Sequence, residues 1–208
     1  MAKPKTLRVG VLAVQGAVAE HVEALRAAAL RRKLTVEVVE VRTGADLAKV
    51  SGIVLPGGES TTISRLLRSG GIQEDLVRRA KTERLAVFGT CAGLILISND
   101  ATHDVADKDI QLLGLLDTTV DRNAFGRQKD SFESRLDVEG IGTMPAVFIR
   151  APVVTKTKAP TKVLAKNERG IVAVRKGCIL GTAFHPELTP DTRLHELFLE
   201  MAEQAART

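Results

Sequence analysis

The apolar residues of the first half of the chain alternate between two spacings. "LRVGVLAVQ" (7–15) is a dense apolar run of strand length ending at Gln15, and "AVAEHVEALRAAAL" (17–30) sets Val18, Val22, Leu25 and Ala29 at helical intervals. "TVEVVEVR" (35–42) returns to a strand pattern, and "SGIVLPGG" (51–58) is a third strand stopped by Pro-Gly-Gly. "TTISRLLRSG" (61–70) and "QEDLVRRAKTE" (73–83) read as helices, and "LAVFG" (85–89) is a fourth strand. This βαβαβ rhythm predicts a parallel sheet covered on both faces by helices. Ligands in such sheets bind beyond the carboxyl ends of the strands, so the chemistry is sought there.

The pattern then changes. "TTVDRNAF" (118–125), "AVFIRAP" (146–152), "KVLAKN" (162–167), "GIVAVRKG" (170–177) and "CILGTAFHPE" (178–187) are short strand-like runs separated by turn residues. They predict a mixed extension of the sheet, closed by the amphipathic helix "DTRLHELFLEMAEQA" (191–205). No repeat, low-complexity tract or linker divides the chain. The expected architecture is one α/β domain over residues 1–208, with a flavodoxin-like, mainly parallel sheet flanked by helices and residues 1–6 as a flexible tail.

Composition narrows the possible functions. A chain of 208 residues with 44% apolar content can bury a substantial core. No run of about 18 apolar residues is present, and the start "MAKPKTLRVG" lacks a secretory signal, so a cytoplasmic location and no membrane partner are expected. In that compartment Cys91 and Cys178 are expected as free thiols. The net charge of +5 raises a nucleic-acid reading, but the tightest basic cluster is "RRK" at 31–33 and the aromatics are six phenylalanines. A solvated basic surface explains the charge, and no nucleic-acid partner is expected.

Cys91 stands in "LAVFGTCAGLILIS" (85–98), one residue beyond a predicted strand and directly before a helical run. "GTCAG" therefore reads as G-x-C-x-G, the cysteine form of a nucleophile elbow, with flanking glycines that allow close approach and unusual backbone angles. The N-terminus of the following helix favours the thiolate. Such a nucleophile needs a base and an orienting group. Of the four histidines, His21 and His195 lie within helices and are expected on their surfaces, and His103 sits in a polar loop. His185 ends a strand and is followed by Pro186 and Glu187. Proline favours an extended predecessor, and residues two apart in an extended segment project to one side, so Glu187 can hold the imidazole for Cys91.

The developing oxyanion needs donors. "LPGGEST" (55–61) places two glycines at a strand end, where a peptide N–H can point into the site, and Ala92 N–H is the second donor. The same stretch reads equally as a turn with Ser60 or Thr61 capping the next helix. The histidines and cysteines show no metal-ligand spacing, so no metal is expected.

"LPGGES", "GTCAG" and "HPE", in this order, resemble the class I, triad-type glutamine amidotransferases. "GVLAVQGAVAEH", "RNAFGRQKDSFE", "VFIRAP" and "FHPELT" are similar to one subgroup, the glutaminase subunits of pyridoxal 5′-phosphate synthases, over roughly residues 8–200. The resemblance implies Cys91 as nucleophile, His185 as base and Glu187 as its partner. It places L-glutamine against Gly58, Glu59, Ser60, Arg122, Ile149 and Arg150, with Gly58 and Ala92 forming the oxyanion hole. It implies no cofactor, and it implies a hetero-oligomer in which ammonia passes to a synthase (lyase) subunit. Gln15, at the same sheet edge as Cys91, is the expected sensor of that partner. An amidotransferase feeding another acceptor and a cysteine-elbow hydrolase or stress protein are the alternatives. "AAALRRKLTVEVVEVR" (27–42) is longer than the resemblance leads one to expect, which leaves the first helix-to-strand connection open.

Overall fold

The structure, a computed structural model, describes residues 6–82, 84–102, 110–122, 124 and 131–208. His103, much of "RNAFGRQKDSFE" and nearly all of the expected N-terminal tail lie outside the described residues. The first half builds as its periodicity predicts, with one unpredicted turn of helix, α2, added: β1 (Leu7–Leu12), α1 (Val18–Arg32), β2 (Val36–Val41), α2 (Gly44–Leu47), β3 (Gly52–Leu55), α3 (Ser60–Ser69), α4 (Gln73–Lys81), β4 (Ala86–Thr90) and α5 (Ala92–Ile97). The connection from α1 to β2 is short. It is turned by Lys33 in the left-handed region, whose backbone N–H returns to the last carbonyls of α1.

β2, β1, β3 and β4 pair in parallel, and β12 (Ile179–Thr182) joins parallel to β4, giving the flavodoxin-like order 2-1-3-4-12. The remainder is β5 (Ser98–Thr102), β6 (Leu116–Asp121), β7 (Phe132–Val138), β8 (Gly142–Phe148), β9 (Val153–Thr157), β10 (Lys162–Asn167), β11 (Gly170–Lys176) and the closing helix α6 (Arg193–Arg207). β11, β9, β6 and β5 extend the sheet beyond β12, β10 pairs with β11, and β7 and β8 form a separate antiparallel ribbon. The extension is staggered. Thr182 pairs with Ala173, Ile171 with Val154, and Val153 with Asp121, so the end of β6 lies level with the carboxyl ends of the parallel strands.

α1 and α6 pack together on one face of the parallel half, and α3 and α5 on the other. The α1 stripe His21, Leu25 and Ala28 is buried, and so is the α6 stripe His195, Leu199 and Ala202. The expectation that both histidines lie on helix surfaces is therefore corrected: each is fully buried. Their spacing with inward apolar residues is the physical reason.

α5 is buried on every side, as a helix apolar all round must be. It lies against β3 so closely that a Cβ on Gly93 would stand 2.0 Å from the Leu55 carbonyl oxygen. A Cβ on Gly89 would meet the Gly93 backbone at 2.6 Å. Both glycines of G-x-C-x-G are thus demanded by packing. Gly93→Ala is expected to cost about 3 kcal/mol from overpacking against backbone. Gly71→Ala, at φ +64 in open space, should cost about 1 kcal/mol from backbone strain alone. Urea unfolding of the two variants tests this, and equal costs would contradict it.

Candidate active site

Four strand ends converge at one edge of the sheet. Gln15 and Gly16 follow β1, Pro56 to Glu59 follow β3, Cys91 follows β4, and His185 follows β12. β6 delivers Arg122 to the same level, and the β7–β8 ribbon delivers Ile149 and Arg150. A cleft of about 490 Å³ is lined by Gln15, Gly58, Glu59, Ser60, Cys91 and Ala92 together with Arg122, Ile149, Arg150 and His185. Every residue assigned from sequence lines this cleft except Glu187, which lies behind His185.

The unusual backbone angle belongs to Cys91 itself, at φ 48 and ψ −103. The flanking glycines supply space, and neither adopts a positive φ. Such a conformation costs on the order of 1–3 kcal/mol and persists only where the surroundings enforce it. Here Cys91 N–H donates to Thr182 O at 2.8 Å, joining the elbow to the end of β12, and Cys91 O accepts from Ile95 N–H at 3.3 Å. The six residues of α5 make fewer than two turns, so its dipole is a small influence on the thiol.

His185 is the charged group beside it. Its Nδ1 lies 2.7 Å from Glu187 Oε1, and its backbone N–H donates to Val147 O at 2.8 Å. The route to this pair differs from the expected one. His185 falls short of the extended region, at φ −105 and ψ 86, and Pro186–Leu188 form a 3₁₀ turn that swings the carboxylate back under the ring. Burial alone would lower the His185 pKa, but hydrogen bonds to Cys91 and Glu187 and the negative charge of both raise it to about 10. The imidazolium form is therefore favoured at neutral pH. Cys91, His185 and Glu187 are 8%, 8% and 7% exposed, so water screens their charges little.

Gly57 lies between Cys91 and His185: a Cβ there would approach His185 Cε1 to 2.4 Å and Cys91 Cβ to 3.3 Å. Gly16, at φ +103, faces Gly57 O so closely that a Cβ would stand 1.9 Å from that oxygen. Gln15 Oε1 accepts from Glu59 N–H at 2.9 Å, which ties the β1–α1 turn to the Gly57-Gly58 segment. The α3 cap is Glu59, correcting the Ser60 or Thr61 reading: its carboxylate accepts from Thr61 and Thr62 N–H at 3.1 and 2.6 Å. Partial burial opposes its charge, yet a hydrogen bond from the Thr62 hydroxyl at 2.6 Å, with these backbone bonds, lowers its pKa to about 2, so it is an anion in the cleft. Arg122 Nη2 donates to Ser60 Oγ at 3.0 Å.

Sequence reading missed Thr90, His21 and His195. Thr90 Oγ1 accepts from Gly57 N–H at 3.1 Å and lies 3.1 Å from His21 Nε2, and His21 Nδ1 lies 3.1 Å from His195 Nε2. The periodic signal was present, since each histidine falls on the inward stripe of its helix. Cys91 and Cys178 are both free. Among the described residues, no group of three or more His, Cys, Asp or Glu side chains could hold a metal ion, and no helix is long and apolar enough to cross a membrane.

The sheet and its edge define a glutamine amidotransferase fold. The crystal structure of a glutamine amidotransferase superposes with a TM-score of 0.83 at 45% identity, covering 94% of this chain and 98% of that one. Another glutamine amidotransferase, from Thermotoga maritima, shares the fold alone, at TM-score 0.60 and 13% identity, over 98% of this chain and 93% of its own. Within that class the sequence is specific. Residues 11–204 match the SNO glutamine amidotransferase family, and the chain belongs to it. Among its relatives, the pyridoxal 5′-phosphate synthase subunit PdxT of Archaeoglobus fulgidus is 49% identical, over 95% of this chain and 99% of its own length. The subunit of the same name from Frankia alni is 50% identical, over 95% and 96%.

The His185 pKa makes a prediction with a definite sign. Its folded value, about 10, lies above the ordinary 6.5, so the folded protein holds this proton more tightly than the unfolded chain. The resulting stabilisation is complete below about pH 6.5 and is lost as pH rises through about 10. The stability advantage of the wild type over His185→Asn is expected to shrink across that window in urea unfolding. A difference independent of pH would contradict the assignment of the charge to His185.

Proposed function

We propose that this chain is the glutaminase subunit of a pyridoxal 5′-phosphate synthase. It hydrolyses L-glutamine to L-glutamate and passes the ammonia to a synthase subunit for vitamin B6 synthesis. The observation that carries the reading is the meeting of Cys91, His185 and Glu187 in one buried cluster beside a cleft. The relatives' name supplies the acceptor. A reducing cytoplasm suits a site that depends on a free thiol.

The reaction begins with attack of the Cys91 thiolate on the side-chain amide carbon of glutamine. The carbonyl oxygen becomes an oxyanion, stabilised by the N–H groups of Gly58 and Ala92. His185 passes its proton to the amide nitrogen, the C–N bond breaks, and ammonia leaves a γ-glutamyl thioester on Cys91. His185, now neutral, takes a proton from water as that water attacks the thioester. Glutamate leaves and the thiolate is restored. Glu187 keeps the imidazole oriented throughout. The amino-acid end of the substrate meets opposite charges that suit it: the Glu59 carboxylate for the ammonium, and the guanidinium groups of Arg122 and Arg150 for the carboxylate. Ser60 and the Ile149 backbone complete the contacts.

Coupling to the partner rests on the strap between Gln15 and Glu59. A synthase subunit docking on the β1–α1 turn would act on the Gly57-Gly58 peptide through Gln15 and Gly16, and would complete the oxyanion hole only in the complex. One missing oxyanion donor costs about 2.7–4 kcal/mol, on the order of a hundred- to a thousandfold in rate. Glutamate release at saturating glutamine is therefore expected to be slow for the isolated chain and to rise by about that factor with the synthase subunit. An isolated chain as fast as the complex would contradict the coupling.

The roles separate by mutation in the complex. Cys91→Ala and His185→Asn should abolish glutamine-dependent synthesis, whereas Glu187→Gln should keep part of it. Added ammonium should restore pyridoxal phosphate formation in all three. Retained glutaminase activity in Cys91→Ala would refute the nucleophile, and failure of ammonium to rescue would refute the acceptor.

A further inference from the structure

The triad as described leaves one oxygen of its carboxylate unexplained. Glu187 Oε1 is taken by His185, but Oε2 is buried and has no hydrogen-bond partner within normal limits. The polar group that approaches it is Nε2 of His21, at 3.5 Å. The same Nε2 lies 3.1 Å from Thr90 Oγ1, the atom that accepts the Gly57 N–H. One imidazole on α1 thus stands between the carboxylate that orients the base and the hydroxyl that anchors the oxyanion segment.

Counting donors and acceptors assigns its tautomer. Burial, reinforced by the positive charge of His185 and by repulsion from His195 whenever that ring is protonated, holds the His21 pKa well below the ordinary value, so the ring is neutral and has one N–H. With the proton on Nε2, His21 donates toward Glu187 Oε2 and Thr90 Oγ1. Nδ1 then accepts from His195 Nε2–H, and His195 Nδ1, an acceptor, is left over. With the proton on Nδ1, the carboxylate oxygen has no donor at all, and His195 carries a buried N–H with no acceptor. Each arrangement leaves two groups over, His195 Nδ1 and the Thr90 hydroxyl hydrogen in the first, the carboxylate oxygen and a ring N–H in the second, and the charge on the buried carboxylate decides for the first.

We propose that His21 is a positioning residue of the amidase site, its Nε2–H fixing Glu187 from behind and, through Thr90, the Gly57 peptide. This rests on the triad reading given above. α1 then grips Gly57 from two sides: the turn before the helix presses Gly16 against its carbonyl oxygen, and the first turns of the helix hold its N–H through His21 and Thr90. The geometry the residue controls is that of the reacting groups, and the part of the cleft that holds the amino-acid end of the substrate lies elsewhere. Its loss should therefore fall on kcat and spare KM.

The test measures glutamate release by the complex with the synthase subunit for His21→Leu, His21→Gln, Thr90→Val and His185→Asn, with thermal unfolding of each as the check on folding. His21→Leu keeps the volume and removes the donor. It should lower kcat about 10-fold, as loss of the hydrogen bond to Thr90 together with the polar contact to Glu187 does, with KM within about twofold. His21→Gln, which can place an N–H near the same point, should recover most of the loss, and Thr90→Val should lower kcat with KM unchanged. A folded His21→Leu with the wild-type kcat overturns the proposal. Equal impairment of folded Leu and Gln variants also overturns it, since that marks a packing role. If His21→Leu does not fold, a folded Thr90→Val with the wild-type kcat overturns it instead. An active His185→Asn would show that the triad reading itself had failed, whatever the His21 variants do.

Discussion

The backbone of Cys91 is the constraint from which the rest of the site follows. A non-glycine residue at φ 48 and ψ −103 lies outside the regions that L-residues favour. It is held there because β4 and α5 meet with no room to relax. Gly89 packs on Gly93, Gly93 packs on the Leu55 carbonyl, and Thr182 O takes the cysteine N–H. The buried apolar side chains of α5, each contributing roughly 1.5–3 kcal/mol, offset the strain. That junction turns the thiol out of the sheet toward His185. A looser junction would let the turn relax into a common conformation and carry the sulfur into the core, where a free cysteine is an inert hydrophobe.

Charge placement follows from the same geometry. A buried imidazolium is tolerated only where negative charge and hydrogen bonds compensate it. His185 has both: Cys91 on the cleft side and Glu187 behind, the latter within 2.7 Å. The ring is thereby charged, as the proposed proton transfer to the leaving nitrogen requires. His195, by contrast, is buried with no carboxylate at hand, and its pKa falls to about 4. Two histidines at similar depth differ in charge because one faces anions and the other faces an aromatic and aliphatic core around Phe88 and Phe198.

Much of this was legible in the sequence, for a reason particular to each element. β1, β3 and β4 are continuous apolar runs because both their faces are covered, and α3 and α4 show clear helical spacing. "GTCAG" and "HPE" carry their partners within a few residues, so local rules suffice. β5, β7 and β9 escaped notice: Ser98–Thr102 is polar and largely exposed, and Phe132–Val138 alternates with many charged residues. The 3₁₀ turn at Pro186–Leu188 was invisible because the extended reading gives the same pairing of His185 with Glu187. His21, His195 and Thr90 were missed because their partners lie 69 and 174 residues away, in contacts that only the packing of α1 on α6 and β4 creates. Reading the inward stripes of α1 and α6 would have placed both histidines in the core, though it would not have paired them.

The central claim is that Cys91 carries the γ-glutamyl group during turnover. It is tested most directly by mixing the chain with its synthase subunit and glutamine, quenching in acid within the first turnovers, and mapping the modified peptide by mass spectrometry. The account predicts a mass increase of one γ-glutamyl group on the peptide containing Cys91, labile to hydroxylamine and absent from His185→Asn. An unmodified Cys91 peptide during active turnover, or the adduct on Cys178 instead, would contradict it.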